Sequence, residues 1–270
     1  MADYSRRDAA RALLLWYKDM GVDEAVGSSP ADFYAAPAMR APSSNSAPRP
    51  ALRAAPAAAI TPAEAAMPAD EAARQAAELA RGATTFEALA DAVAAFDGCP
   101  LKAGARTTVF TDGVPGASLL VIGEAPGRDE DRLGKPFVGR AGQLLDRMLA
   151  AIGRSRVKDT LISNVVYWRP PGNREPTQIE IAICRPFVDR LIELTNPRAI
   201  VLAGAAPTRA LLGLNGIMRA RGVWRDIETS SGAKFPALPI FHPAFLLRQP
   251  AQKRLAWSDL LALEARLTDD

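Results

Sequence analysis

Short apolar runs and helix-period stretches alternate along the second half of the chain. Ser118–Ile122, Leu161–Val166, Ala199–Ala203 and Leu238–Phe241 are rich in Val, Ile and Leu and carry no charge. Runs of that kind suit strands buried on both faces. Between and after them, apolar positions recur at helical spacing in Ala141–Ile152, Thr177–Leu194, Pro207–Leu212 and Ala251–Leu267, which predicts helices. Thr177 and Glu180, just after Pro176, stand at capping-box spacing and mark the start of the second of these. The alternation predicts an α/β fold: a mostly parallel sheet of about four strands, with helices on both faces and right-handed crossovers.

The pattern changes toward the N-terminus. Ala10, Leu13, Leu14, Tyr17 and Met20 recur at helical spacing before Gly21, so an N-terminal helix is expected within residues 1–28. Residues 29–69 are mostly alanine and proline without apolar periodicity, and read as a disordered linker. Two further helices are expected, one over Asp70–Arg81 and one opening at Thr84 with Glu87 in capping-box spacing. A strand-like run follows at Thr107–Phe110. The folded domain is therefore set at 70–270, with its core starting near residue 83.

Composition narrows the class. A chain of 270 residues with 49% hydrophobic content can bury one substantial domain. No apolar run reaches the ~18 residues of a membrane span. Two cysteines cannot build a disulfide framework, so a cytoplasmic protein is expected. Charge is uneven: residues 1–98 carry a net −4 and residues 99–270 a net +7, against +3 overall. The basic portion is the α/β portion, which fits a polyanionic partner. Neither a Walker A nor a GxGxxG sequence follows any expected strand, so the common nucleotide-cofactor folds lose their main support.

Chemistry-bearing residues gather where the strands end. The stretch GEAPGRDEDRLGKPFVGRAG, Gly123–Gly142, lies between an expected strand and an expected helix, where open α/β sheets bind ligands. Its glycines allow close backbone approach, Glu124 and Glu130 are candidate acid/base groups, and Phe137 offers a flat apolar face. Asn164 lies in the second run. Its paired carbonyl and amide can match adjacent groups on a base edge. His242, the single histidine of the chain, follows the fourth run.

Taken together, GEAPGRDED, GKPFVGRAG, ISNVV, RPPGNREPT and HPAFLLR, spread in that order over residues 99–265, resemble family 4 of the uracil-DNA glycosylase superfamily. The resemblance implies a three-layer α/β/α sandwich and removal of uracil from single- or double-stranded DNA by hydrolysis of its N-glycosidic bond. It implies that Phe137 stacks on the flipped uracil, Asn164 pairs with its Watson–Crick edge, His242 contacts O2, and backbone amides near Glu124 and Ala125 hold the ring. Glu124 or Glu130 acts on the water or on the sugar cation. On the DNA side, Leu246 and Leu247 fill the vacated space, and Arg140, Arg174 and Arg248 meet phosphates. A monomer is expected, with the N-terminal segment available to a repair-protein partner.

Two features depart from the family pattern. Ala125 stands where the best-known family of the superfamily has an aspartate. Family 4 members carry four cysteines that bind a [4Fe-4S] cluster; here only Cys99 and Cys184 remain, and Phe96 and Trp168 occupy the other two positions. Four thiolates are the usual requirement for the cluster, so it is expected to be absent, its volume filled by aromatic rings. Cluster loss also raises the alternative of a scaffold that binds uracil-containing or damaged DNA without cutting it; a third reading, from a different class, is an α/β hydrolase or transferase acting on free nucleosides.

Overall fold

The computed structural model describes residues 67–268. The N-terminal helix expected in 1–28, and all of the 29–69 linker except its last three positions, lie outside that range.

Six strands form one sheet: β1 Thr111–Gly113, β2 Leu119–Gly123, β3 Thr160–Asn164, β4 Ala199–Ala203, β5 Arg225–Glu228 and β6 Lys234–Ile240, in the order β1-β3-β2-β4-β6-β5. The inner four pair in parallel, and every residue of β2, β3 and β4 is buried. Helices are α1 Ala69–Gly82, α2 Phe86–Ala95, α3 Arg128–Leu133, α4 Arg140–Ala150, α5 Gln178–Thr195, α6 Ala205–Leu212, α7 Ile217–Ala220, α8 Pro243–Arg248 and α9 Lys253–Thr268.

Strand side chains alternate between the two sheet faces. Leu119 and Val121 join a core with Leu145 and Leu149 of α4 and Leu260 and Leu263 of α9. Leu120 and Ile122 join the other, with Ala72 and Ala76 of α1, Leu89 of α2, and Phe187 and Leu191 of α5. Burying one such Leu or Ile contributes roughly 1.5–3 kcal/mol, so the continuous apolar runs hold these strands in the middle layer. The result is the three-layer α/β/α sandwich. The Thr177 capping box of α5 forms in both directions.

Several expectations are corrected. The sheet has six strands rather than four, because antiparallel β1 and β5 close its two edges. Only Ile227 of β5 is buried, so this strand carries almost no apolar signature. Thr107–Phe110 is not a strand: the Thr107 amide and hydroxyl are taken up by Asp131, and β1 starts at Thr111. The cap of α2 is Thr85, whose hydroxyl accepts the Ala88 amide at 3.1 Å, not Thr84. The packed core reaches back to α1, whose Ala72, Ala76 and Ala80 are buried, rather than starting near residue 83. No helix among the described residues is long and apolar enough to cross a membrane.

Candidate active site

The C-terminal ends of the parallel strands meet at a switch in direction, since β2 is flanked by β3 on one side and β4 on the other. Such a switch opens a crevice. Gly123 closes β2 directly opposite Asn164, which closes β3. His242 follows β6 and caps α8. A cavity of about 590 Å³ lies here, lined by Glu124, Ala125, Glu130, Phe137, Arg174, His242 and Arg248 among others. Seven positions singled out in sequence thus share one cavity.

His242 is held neutral. Burial, reinforced by the nearby Arg248 charge and only partly offset by Glu130, pushes its pKa down from 6.5 to about 4. Its Nδ1 accepts the Ala244 amide at 3.1 Å. An acceptor nitrogen carries no proton, so the ring proton sits on Nε2. The neutral ring is therefore a fixed Nε2–H donor.

Asn164 is 2% exposed, and its Nδ2 has no hydrogen-bond partner. An unpaired buried amide costs roughly 1–3 kcal/mol, so this N–H stands open to an acceptor. A Cβ on Gly123 would strike both the Phe137 ring and the Asn164 Oδ1. Glycine at this strand end is what lets the ring and the amide approach each other. The Phe137 ring lies 5.6 Å from that of His242. Asn164, Phe137 and His242 therefore form one connected set.

The two carboxylates have separated. Glu130 Oε1 accepts the Val138 and Gly139 amides at 3.0 and 2.9 Å, pinning the end of the loop to α3. Glu124 has no such ties. Burial holds its carboxyl above the usual range, Glu175 adds to the effect, and Arg209 partly offsets it.

A family model described as the uracil DNA glycosylase superfamily matches residues 110–261, which contain every site residue just described. The chain belongs to that superfamily. It is similar to the type-4 uracil-DNA glycosylase of Archaeoglobus fulgidus, 40% identical over 159 residues covering 55% of this chain and 79% of that protein. The type-4 enzyme of Sulfurisphaera tokodaii is 34% identical over 183 residues, covering 65% and 81%. That of Thermotoga maritima is 35% identical over 177 residues, covering 65% and 91%.

Against the type-4 pattern of the superfamily, the region around the two cysteines does not fit an iron–sulfur cluster. Cys99 and Cys184 are both buried, and the interaction of the two thiols together with burial holds the Cys184 thiol well above its usual pKa. No third or fourth thiolate exists in the chain, and [4Fe-4S] clusters take four. Phe96 and Trp168 are 2% and 0% exposed. Phe96 packs 6.4 Å from Trp168 and 5.2 Å from Phe187, and Trp168 donates its indole N–H to Thr108 at 3.1 Å. Aromatic packing occupies this part of the core.

The DNA-side expectations are redistributed. Arg248 is exposed at the cavity mouth, and Arg140 is exposed where α4 begins. Arg174 reaches the cavity, but its guanidinium makes two hydrogen bonds to Glu180, at 2.7 and 2.9 Å. Leu246, expected to face DNA, is turned inward by α8 to 1% exposure in the core. Leu247 is partly exposed, as is Phe245, which lines the cavity and had not been singled out. Helical spacing from Pro243, three residues earlier, carries the signal for an inward Leu246. Arg156 was also missed. It contacts the loop that carries Phe137.

Proposed function

We propose that the chain is a DNA repair glycosylase that takes uracil out of the DNA stack and hydrolyses its N-glycosidic bond, leaving an abasic site. The reading rests most heavily on the unpartnered Nδ2 of buried Asn164 beside Phe137 and His242. A base in a duplex is beyond reach until its nucleotide rotates out, with pocket contacts offsetting the lost stacking. Phe137 then stacks on the ring. Asn164 accepts N3–H through Oδ1 and donates through Nδ2 to O4, which fills its open hydrogen bond.

Breaking the bond between C1′ and N1 leaves positive charge on the sugar and negative charge on uracil, spread over N1 and O2. The Nε2–H of neutral His242 donates to O2, where charge grows, and a fixed donor so placed is worth on the order of 3 kcal/mol of barrier. Glu124 takes the proton of the water that adds to C1′. It is the better placed of the two carboxylates, because two backbone amides already occupy one oxygen of Glu130. Arg248 and Arg140 face phosphates. No step passes through an iron–sulfur cluster, and we propose that this chain lacks one.

The test is incubation of the full chain with single- and double-stranded uracil DNA, followed by assay for abasic sites and free uracil. Release of uracil from DNA supports the proposal. Binding without abasic sites, or activity confined to free nucleosides, overturns it.

A further inference from the structure

Phe137 is one of three non-glycine residues among those described with positive φ, at +54°. A bulky aromatic side chain seldom takes that conformation unless its surroundings impose it. The source of the constraint lies outside the cavity. Arg156, in the loop before β3, donates from Nη2 to the Phe137 carbonyl at 2.8 Å and from Nη1 to the Pro136 carbonyl at 3.0 Å. Two acids aim the guanidinium: Nη1 meets Asp112 of β1 at 2.9 Å and Nε meets Asp146 of α4 at 2.9 Å. Asp112 also pairs with Lys135, in the same loop as Phe137, at 3.1 Å. The Arg156 side chain is 15% exposed, so these partners hold it within the packed structure.

The far side of the peptide is closed as well. A Cβ at Gly142 would collide with the Phe137 carbonyl, so the first turn of α4 lies directly against it. Arg156 and Gly142 clamp one carbonyl between them, while Glu130 holds the next two amides. A backbone over-determined in this way keeps its ring in one place before any ligand arrives.

We infer that Arg156 is a positioning residue for the reaction: it fixes the left-handed Phe137 backbone so that the ring stands ready as a stacking face. The inference rests on the glycosylase reading, in which Phe137 stacks on uracil. Arg156 touches neither base nor sugar and acts through the loop. Freed from its clamp, Phe137 can relax to negative φ and carry its ring away from His242.

A double-mutant cycle tests this with the full chain. Arg156→Gln is expected to lower kcat/KM ~10²-fold, the scale of loss when a positioned group moves by about 1 Å. In a Phe137→Ala background the same change is expected to cost under ~3-fold, because the group it positions is gone. Arg156→Lys, which keeps the charge but cannot serve both carbonyls and both acids, is expected to fall between. Equal losses in the two backgrounds overturn the inference and leave Arg156 a structural residue. If the wild-type chain releases no uracil, the functional reading fails instead. The positioning claim is then decided by a crystal structure of Arg156→Gln or Arg156→Lys: an altered Phe137 φ supports it, and an unchanged loop overturns it.

Discussion

The Ala244 amide donates to His242 Nδ1 at 3.1 Å, across two positions of the chain. That bond fixes a tautomer that leaves the proton on Nε2, on a ring that lines the cavity. His242→Ala is expected to lower uracil release ~10²- to 10³-fold, the usual loss for one preorganised donor at a developing anion, and to cost roughly 0.5–2 kcal/mol of stability because the cap of α8 is lost. Nitrogen-15 NMR should show the Nε2–H neutral ring at pH 6, and an imidazolium there would count against the assignment.

The same ring has a consequence for stability. Its pKa is about 4 in the folded chain against 6.5 ordinarily, so between those values the unfolded chain binds a proton that the folded chain refuses. Stability from this group is complete above pH 6.5 and is lost as the pH falls toward 4, by up to about 3 kcal/mol. His242 is the single histidine, so comparison with His242→Gln isolates the effect. In denaturant titrations the advantage of wild type over the variant should shrink from pH 7 to pH 4.5. A constant difference would show that burial does not penalise the imidazolium.

Glu124 predicts the acid limb of the pH–rate profile. Its carboxyl is raised above the ordinary 4.5, by burial first and Glu175 second. A base must be ionised to accept a proton, so kcat should fall as the pH drops through this raised value. Glu175→Gln removes the repulsion and leaves Arg209 without its ion pair at 3.3 Å, so the limb should move to lower pH. Glu124→Gln should abolish the limb along with most of the rate. A limb unmoved by both changes would place the base elsewhere.

Some of this architecture is legible in sequence because local composition and burial agree. Ala199–Ala203 is apolar, interior and a strand to the residue. Asn164 and His242 stand out because polar residues close or follow apolar runs, and parallel strands gather such ends at one edge. Arg156 is illegible for the opposite reason. Its partners Asp146, Pro136, Phe137 and Asp112 lie 10 to 44 positions away and meet only after folding. Thr107–Phe110 shows how one distant side chain overrides a local pattern, since Asp131 binds backbone that a strand would have used. Leu246 lies in a motif expected to face DNA, and the short helix α8 turns it inward.

Glu130 should behave as a brace rather than a base. Its Oε1 accepts two amides from the residues directly after Phe137. Glu130→Gln keeps an acceptor oxygen and should retain most activity, with the acid limb of the pH profile unchanged. Glu130→Ala leaves both amides unpaired and should cost roughly 1–3 kcal/mol of stability, together with weaker binding of uracil DNA. A loss in Glu130→Gln as large as that in Glu124→Gln would reverse the two roles.

The aromatic packing around Phe96 and Trp168 makes a prediction about both metal and stability. Metal analysis of the purified chain should find no stoichiometric iron; about four irons per chain would contradict the two-thiol chemistry of Cys99 and Cys184. The rings must then hold together the region where α2, the segment after β3 and α5 meet, since Phe96 lies 5.2 Å from Phe187 of α5 and 6.4 Å from Trp168. Replacing a fully buried aromatic ring by alanine typically costs 3–5 kcal/mol, from lost transfer energy and from the cavity left behind. Trp168→Ala should fall in that range and also strand the Thr108 hydroxyl that its indole now meets. Cys184→Ala removes far less volume and should cost much less. If the cysteine change proves the more damaging, the thiols hold this region together and the rings do not.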